Sequence, residues 1–299
     1  MTTQRPTHPD GPRTTVVIAT RNRREYLMRT LRALDRLDPP APIVVVDNAS
    51  QDDTAETVMR HRPDVRLLRL PRNRGAVGRN LGVLCARTPY VAFSDDDSWW
   101  HPTALSRAEE LLDEHPGVGL LAARTLVGEQ GRPDPVGDLM RRSPLGTAPG
   151  LPGPSVLGFM ACSAVVRRRA FFEAGGFGPT LFFVAEEKLL AYDLAAAGWE
   201  LVYVDTVRAH HHPAEHRRDG SRRGDVEWRN NLLIDWMRRP LSTAAKRTAG
   251  LLGNARRDPQ ARRVAVATLG KLPTALRRRA VLPADVERRV GLVEQGHGH

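Results

Sequence analysis

Residues 91–102 read VAFSDDDSWWHP. The apolar run Tyr90–Phe93 has the length and composition of a buried strand. It gives way at once to Asp95, Asp96 and Asp97. Three adjacent carboxylates repel one another, and fold stability alone gives no reason to gather them. A divalent cation relieves that repulsion, and oxygen donors suit magnesium, manganese or calcium. The plainer alternative is a solvated acidic turn capping the helix expected over 102–115. Its place at the end of a strand favours a metal or substrate site.

Upstream, the pattern alternates. Thr14–Thr20 (TTVVIAT) is β-branched and apolar, which predicts a buried strand. Over 23–37, Tyr26, Leu27, Thr30, Leu31, Leu34 and Leu37 recur at helical spacing until Pro39, Pro40 and Pro42 stop the helix. A second strand over 43–46 is closed by Asp47-Asn48, and a helix over 54–61 has Asp52 or Asp53 as N-cap. A third strand covers 65–70 and a helix 75–86. Strands alternating with helices predict an α/β fold whose sheet is mostly parallel and flanked by helices. Ligands of such sheets gather beyond the carboxyl ends of the strands. Those ends are Thr20-Arg21-Asn22, Asp47–Ser50 and Asp95–Asp97. Asp47 is placed to read a ribose hydroxyl or a base N–H, or else to close an Asx-turn. Asn73-Arg74-Gly75 and Gly78-Arg79-Asn80 form a loop before a helix, where backbone N–H groups with Arg74 or Arg79 suit phosphate oxygens. Neither a Walker loop nor a full dinucleotide fingerprint is present.

Downstream the order changes. A strand is expected over 118–127. Residues 128–155 hold six glycines and six prolines, which predicts a long mobile loop. A strand over 159–167, a short helix over 168–174, a helix over 186–197 and a strand over 200–204 follow. Glu186-Glu187 opens its helix, where the macrodipole favours acids. The pair also suits a general base oriented by its neighbour. His210-His211-His212 is either a metal-binding element or an exposed run. Beyond 225 the chain reads as helices separated by Pro240, Pro259, Pro273 and Pro283, and the terminal Gly-His-Gly-His as a flexible end.

The 299 residues are 41% hydrophobic and 26% charged, values of a soluble globular chain. No apolar run approaches the ~20 residues of a membrane-spanning helix. MTTQRPTHPDGPR lacks the apolar core of a signal peptide. Cys85 and Cys162 cannot make a disulfide framework, so a cytoplasmic setting is expected. The net charge of +11 is uneven: residues 236–299 hold 14 Lys+Arg against 4 Asp+Glu, and the first 235 hold 31 against 30. A basic tail fits an anionic partner or a solvated arginine-rich surface. With 5% aromatics and no recognisable motif, nucleic acid is not the expected partner. Leu232, Leu233 and Trp236 beside Arg238 and Arg239, and Val264, Leu269 and Leu272 beside Arg262, Arg263 and Lys271, suit either packing on the rest of the chain or shallow docking on an anionic membrane. Peripheral attachment at the inner membrane face is the expectation.

In order, TTVVIATRNR (14–23), IVVVDNASQDDT (43–54), NRGAVGRNLG (73–82) and VAFSDDDSWWHP resemble the nucleotide-binding half of family-2 glycosyltransferases with the GT-A fold. GFMACSAVVRRRAFFEAGGF (158–177) and AEEKLLAYDLAAAGW (185–199) are similar to that family's acceptor half. The resemblance runs from about 14 to 212. It implies one GT-A-like domain with a helical, basic C-terminal extension. The parts are a flexible arm (1–13), a nucleotide-sugar half (14–115), an acceptor half (116–230) and the extension (231–299). Thr20 and Arg21 would line the nucleotide pocket, Asp47 would read base or ribose, and Arg79 would lie near the nucleotide. Asp95 and Asp97 match the DXD motif, with Asp97 the favoured metal ligand and Asp95 nearer ribose and metal. Glu186-Glu187 matches the family's Glu-Asp pair, whose second member is the usual base. Glutamate in that second place leaves the base open between Glu187 and Glu186. Asp193 stands where many members carry arginine. His210 or His212 matches a histidine that some members place near the metal.

The implied activity is metal-dependent (Mn2+ or Mg2+), inverting sugar transfer from a nucleoside-diphosphate sugar to an acceptor hydroxyl. UDP is the first candidate nucleotide, then dTDP or GDP. The acceptor is a glycan, a lipid-linked glycan or a small natural product. The 128–155 loop and the 213–229 stretch would close over the donor. Two rivals remain: a catalytically silent binding protein of the same fold, and a haloacid-dehalogenase-like phosphatase using Asp95 and Asp97. For the phosphatase, Trp99 stands where Thr or Val is wanted.

Overall fold

Strand β1 (Thr14–Thr20) shows how the core is divided. Successive strand residues face opposite ways, so Val17 enters one apolar cluster while Val16 and Ile18 enter another. The computed structural model describes residues 11–213 and 220–296. Residues 1–10 of the expected arm (1–13), residues 214–219 of the expected closing stretch, and the last three residues of the Gly-His-Gly-His end lie outside the described residues.

Nine strands form one sheet in the order β3-β2-β1-β4-β8-β6-β9-β5, with β7 paired to β6. Strands β2 (Ile43–Asp47), β3 (Arg66–Arg69) and β4 (Tyr90–Asp95) run parallel around β1. β8 (Ala164–Arg167) is antiparallel to both β4 and β6 (Val118–Val127). Helices α1 (Arg24–Leu34), α2 (Thr54–His61) and α4 (Ala104–Glu114) cover one face through Leu27, Leu31, Val58, Leu105 and Leu112. The other face takes α3 (Gly78–Cys85), α6 (Arg168–Glu173) and α7 (Glu186–Ala196) through Val83, Phe171, Leu189 and Leu190. A Cβ at Gly82 would lie 2.3 Å from Val17 Cγ1, so glycine lets α3 rest its backbone on the sheet. This is the mostly parallel α/β sheet that the sequence predicts.

Three local expectations change. The strand expected over 200–204 is the first part of β9 (Glu200–His211), which runs past a register shift opposite Ala123 and Arg124. Exposed Asp205 and Thr206 mark that irregularity and hide the strand from an apolar pattern. Beyond it, β9 pairs with β5 (Ser98–Trp100) and sets His211 opposite Ser98. Residues 128–155 contain β7 (Arg132–Pro133) and α5 (Pro135–Arg141), the latter capped by the Asp134 side chain. That segment is tied to β9 by Val156 N–H on Leu201 C=O and Tyr203 N–H on Pro154 C=O, both 2.9 Å. Pro273 sits inside α10 (Pro259–Arg277) and does not end it. Its ring faces solvent, where the unpaired carbonyl one turn earlier can be hydrated.

The basic extension packs on the domain. α8 (Gly220–Arg238) places Leu233, Ile234 and Met237 in the cluster that holds Leu189 and Leu190. α9 (Leu241–Asn254) and α10 enclose a smaller cluster with Leu232 and Val264, and α11 (Ala284–Gly296) adds Val286 and Val290 to the main one. Arg238 pairs with Asp193, Arg239 with Glu287 and Glu294, and Arg289 with Glu200. For Leu232, Leu233 and Val264 the packing alternative therefore holds. Among the described residues, no helix is long and apolar enough to cross a membrane.

Candidate active site

The carboxyl ends of β1 and β4 open into a cleft of about 920 Å³. A strand wall carries Thr20, Arg21, Arg23 and Asp95–Asp97; a helical wall carries the 181–184 segment with Arg229 and Lys271.

The aspartate turn is pinned on every side. Asp95 N–H donates to Ser98 Oγ at 2.8 Å. Thr30 Oγ1 donates to the Asp96 carbonyl at 2.8 Å. The Asp96 carboxylate accepts from Thr20 Oγ1 at 2.9 Å and meets Arg23 Nε at 2.8 Å. Burial pushes its pKa up to about 7, with Arg23 opposing and the charges of Asp97 and Asp95 adding to the rise. Asp97 accepts from Arg23 Nη2 at 2.9 Å.

Arg79, on the first turn of α3, is buried and joins two acidic elements. Its Nη2 donates to Asp95 Oδ1 at 2.5 Å, and its Nη1 lies 3.8 Å from Glu186 Oε1. Burial works against the guanidinium charge, but Asp95, Glu186 and Glu187 more than offset it, so Arg79 stays cationic. Glu186 is 2% exposed, while Glu187 keeps partial access to solvent. Burial raises the pKa of both; Glu187 adds to the rise at Glu186, and Arg79 opposes it at each.

The pair is aimed by strained backbone. Phe182, Val184 and Ala185 all have positive φ (70°, 70° and 65°), a region costly for side chains with a Cβ. Asn230 of α8 holds them: its Nδ2 reaches the carbonyls of Leu181, Phe183 and Val184 at 3.3, 2.9 and 2.6 Å. From the other side, Ala76 N–H donates to the Phe182 carbonyl at 2.8 Å. Gly75, at φ +59°, makes that approach possible, because a Cβ there would fall 2.1 Å from the same carbonyl oxygen.

Of the residues singled out in the sequence, Thr20, Arg79, Asp95 and Asp97 come together, and Arg21 lines the cleft. Asp47 is buried and accepts the N–H of Ser50, three residues on, at 3.0 Å, a local turn contact one residue longer than an Asx-turn; its neighbour Asn48 reaches the cleft. The histidines divide by strand alternation. His210 and His212 stack on Trp99, at 6.0 and 4.5 Å between ring centroids. His211 turns the other way, with Nε2 3.4 Å from Asp97 Oδ1. So the structure brings His211 to Asp97, and sets His210 and His212 against Trp99. Arg238 reaches back to Asp193, so the carboxylate on α7 serves to dock α8.

The donor set fits a divalent cation. His211 Nε2 is buried without a hydrogen-bond partner and faces a carboxylate oxygen. An imidazole nitrogen with a carboxylate suits manganese, and the remaining positions would fall to ligand oxygens and water. Among the described residues, no group of three metal-binding side chains converges. The reading from sequence missed Arg23, Asn230 and Arg229; it held His211 only as one of three candidate histidines, and Lys271 only as part of a basic docking stretch. Arg23 lies within a residue or two of positions singled out; Asn230 and Arg229 have no local signal.

The sequence profile described as glycosyl transferase family 2 matches residues 15–175, more than half of the chain. The chain belongs to glycosyl transferase family 2. Relatives of this glycosyltransferase include a Mycobacterium tuberculosis N-acetylglucosaminyl-diphospho-decaprenol L-rhamnosyltransferase, 28% identical over 232 residues, 67% of this chain and 76% of the relative. The pre-mycofactocin glycosyltransferase of the same organism is 31% identical over 232 residues, 72% of this chain and 47% of the relative. Among solved structures, the Pyrobaculum calidifontis mannosyltransferase PcManGT, in complex with GDP-Man and Mn2+, superposes with a TM-score of 0.58 at 22% identity, covering 96% of this chain and 79% of that one. Staphylococcus aureus TarS 1–349 in complex with UDP-GlcNAc gives 0.60 at 18% identity, covering 94% and 84%. These likenesses establish the GT-A fold.

Proposed function

We propose that this glycosyltransferase moves a sugar from a nucleoside-diphosphate sugar to an acceptor hydroxyl with inversion, and that the reaction depends on Mn2+ or Mg2+. The observation that carries this is the linkage of Asp95 and Glu186-Glu187 through one buried arginine, Arg79, beside a single cleft. Asp97 and His211 would hold the cation, which when bound offsets charge on the departing diphosphate. Thr20, Arg21 and Asn48 form the nucleotide side. Asp95, kept in place by Arg79, faces the ribose. Glu187 is the general base, since it retains solvent access and Glu186 does not. It takes the proton from the acceptor hydroxyl as that oxygen attacks the anomeric carbon. Approach opposite the leaving group inverts the configuration. UDP is the first nucleotide to test, then dTDP and GDP.

The experiment is a transfer and hydrolysis assay over the three classes of nucleotide sugar, with Mn2+ or EDTA. Cation-dependent consumption of one class supports the reading. A protein that binds the donor and never consumes it, with any acceptor tried, is a silent member of the family. Release of phosphate from simple monoesters would favour the phosphatase instead.

A lipid-linked acceptor is the finer reading, suggested by the rhamnosyltransferase relative. It goes with shallow docking at the cytoplasmic face of a membrane. On α10, Val266, Leu269 and Leu276 are 68%, 53% and 43% exposed and share a face with Arg262. Sedimentation with vesicles checks it: binding should need anionic lipid and fade with salt. Equal recovery in the supernatant with neutral and anionic vesicles would contradict it.

A further inference from the structure

The helical wall of the cleft has no counterpart in the reading above. Arg223 and Arg229 of α8 and Lys271 of α10 all line it, in the same cleft as Asp95–Asp97. Arg229 is half-buried and donates Nε and Nη2 to Asn230 Oδ1 at 3.0 and 2.8 Å, a neutral acceptor. Lys271 is half-buried and donates to the Thr180 carbonyl at 3.1 Å, again neutral. Among the described residues no carboxylate pairs with either. At the end of α8, half-buried or buried cations do meet acids: Arg238 has Asp193, and Arg239, one residue past the helix, has Glu287 and Glu294. Burial lowers the pKa of Arg229, and burial followed by repulsion from Arg229 lowers that of Lys271. Two cations that desolvate and repel one another in a cleft are in the mirror situation of three adjacent aspartates. A bound anion relieves it.

We propose that Arg223, Arg229 and Lys271 form an anion subsite that takes a phosphate or diphosphate group of the acceptor. The ligand class follows from the donor set. Arginine offers planar, paired N–H groups and lysine a mobile point charge, the combination that suits phosphate oxygens. The acceptor assignment rests on the transferase reading and on position. Asn230, which carries Arg229, also holds the 181–184 segment that leads into Glu186-Glu187. The wall is therefore tied, through 181–184, to the segment that leads into the base pair. The donor's diphosphate belongs with the aspartates, where a cation must accompany it. The subsite on the helical wall binds its anion with no metal.

Titration of inorganic phosphate in EDTA is the test. Wild type should bind it, and Arg223→Ala, Arg229→Gln and Lys271→Gln should each weaken binding by roughly tenfold, the scale of one charge-assisted hydrogen bond. Arg223 is exposed and has no hydrogen bond among the described residues, so its variant removes charge from the surface of the fold; failure of the other two to fold would leave the test standing. A second titration uses protein loaded with UDP and Mg2+. Unchanged phosphate affinity there supports an acceptor subsite. Displacement of phosphate by the nucleotide would show that the donor's own diphosphate uses this wall, and would overturn the acceptor assignment. Absence of phosphate binding, or equal binding by wild type and all three variants, overturns the subsite itself. None of these outcomes depends on turnover, so the subsite and the transferase reading fail separately.

Discussion

The charges on the two walls of the cleft are held in opposite ways: the aspartates of one are paired with arginine, while Arg229 and Lys271 of the other have only neutral partners. On the strand wall, Asp95 meets Arg79, Asp96 meets Arg23 and Thr20, and Asp97 meets Arg23. On the helical wall, Arg229 and Lys271 rest on an amide and a backbone carbonyl. Acids that must present fixed oxygens are positioned before any ligand arrives. Bases that only need to supply charge are anchored lightly and left uncompensated. The difference separates a wall built for geometry from a wall built for charge. The base pair at α7 joins them, since Arg79 reaches Glu186 from the first side and Asn230 holds the preceding backbone from the second.

The largest effect should come where that junction does its chemistry. Glu187→Gln preserves shape and removes basicity. Donor binding should stay near wild type while turnover falls by on the order of 100-fold or more. Steady-state kinetics with a binding titration separate the two. Full activity of Glu187→Gln with an inactive Glu186→Gln would move the base one residue back along α7. If neither matters, the junction is not the site of proton transfer.

A smaller effect concerns pH. Burial raises the pKa of Glu187, and of Glu186 with help from Glu187's charge, above the ordinary glutamate value of 4.5. The base works deprotonated, so kcat/KM should climb with pH along a limb set above 4.5. That limb should be lost from the residual activity of Glu187→Gln. In stability the sign is reversed. A raised folded pKa means the folded chain holds the proton more tightly than the unfolded chain, so ionising the pair costs stability as pH rises through the raised value.

The smallest effect tests the lightly anchored side. Asn230→Ala leaves the carbonyls of Leu181, Phe183 and Val184 without their donor. It should lower stability by about 1–3 kcal/mol in denaturant titration, and lower kcat more than it raises the donor's KM. Loss of stability with kinetics unchanged would make Asn230 a fold residue with no part in aiming Glu187.

The strand wall was legible in the sequence and the helical wall was not, for a physical reason. A buried parallel strand is a continuous apolar run, so its end is visible, and the polar residues placed there are exposed to inference at once. Thr20, Asp95 and Asp97 were found that way. Asp47 shares the signal and closes a local turn on Ser50 N–H, because a strand-end aspartate does either with the same local sequence. His211 was one of three candidate histidines, and the family resemblance favoured its neighbours. Only the register of β9 against β5, set by a shift around Asp205, decides which histidine faces Asp97. Arg229, Asn230 and Lys271 lie in an arginine-rich stretch where every turn of helix offers a cation. Which of them enters the cleft depends on how α8 and α10 pack on α7, and no local pattern records that.

The central claim is that the aspartate turn binds a nucleoside diphosphate through a cation held by Asp97 and His211. Calorimetric titration of UDP, dTDP and GDP, with Mn2+ and with EDTA, addresses it directly in wild type, Asp97→Ala and His211→Ala. At least one nucleotide should bind wild type with Mn2+, lose most of its affinity in EDTA, and bind each variant with no difference between the two conditions. Tight binding of a nucleotide to wild type that EDTA leaves unchanged, or full cation dependence in both variants, would contradict the account.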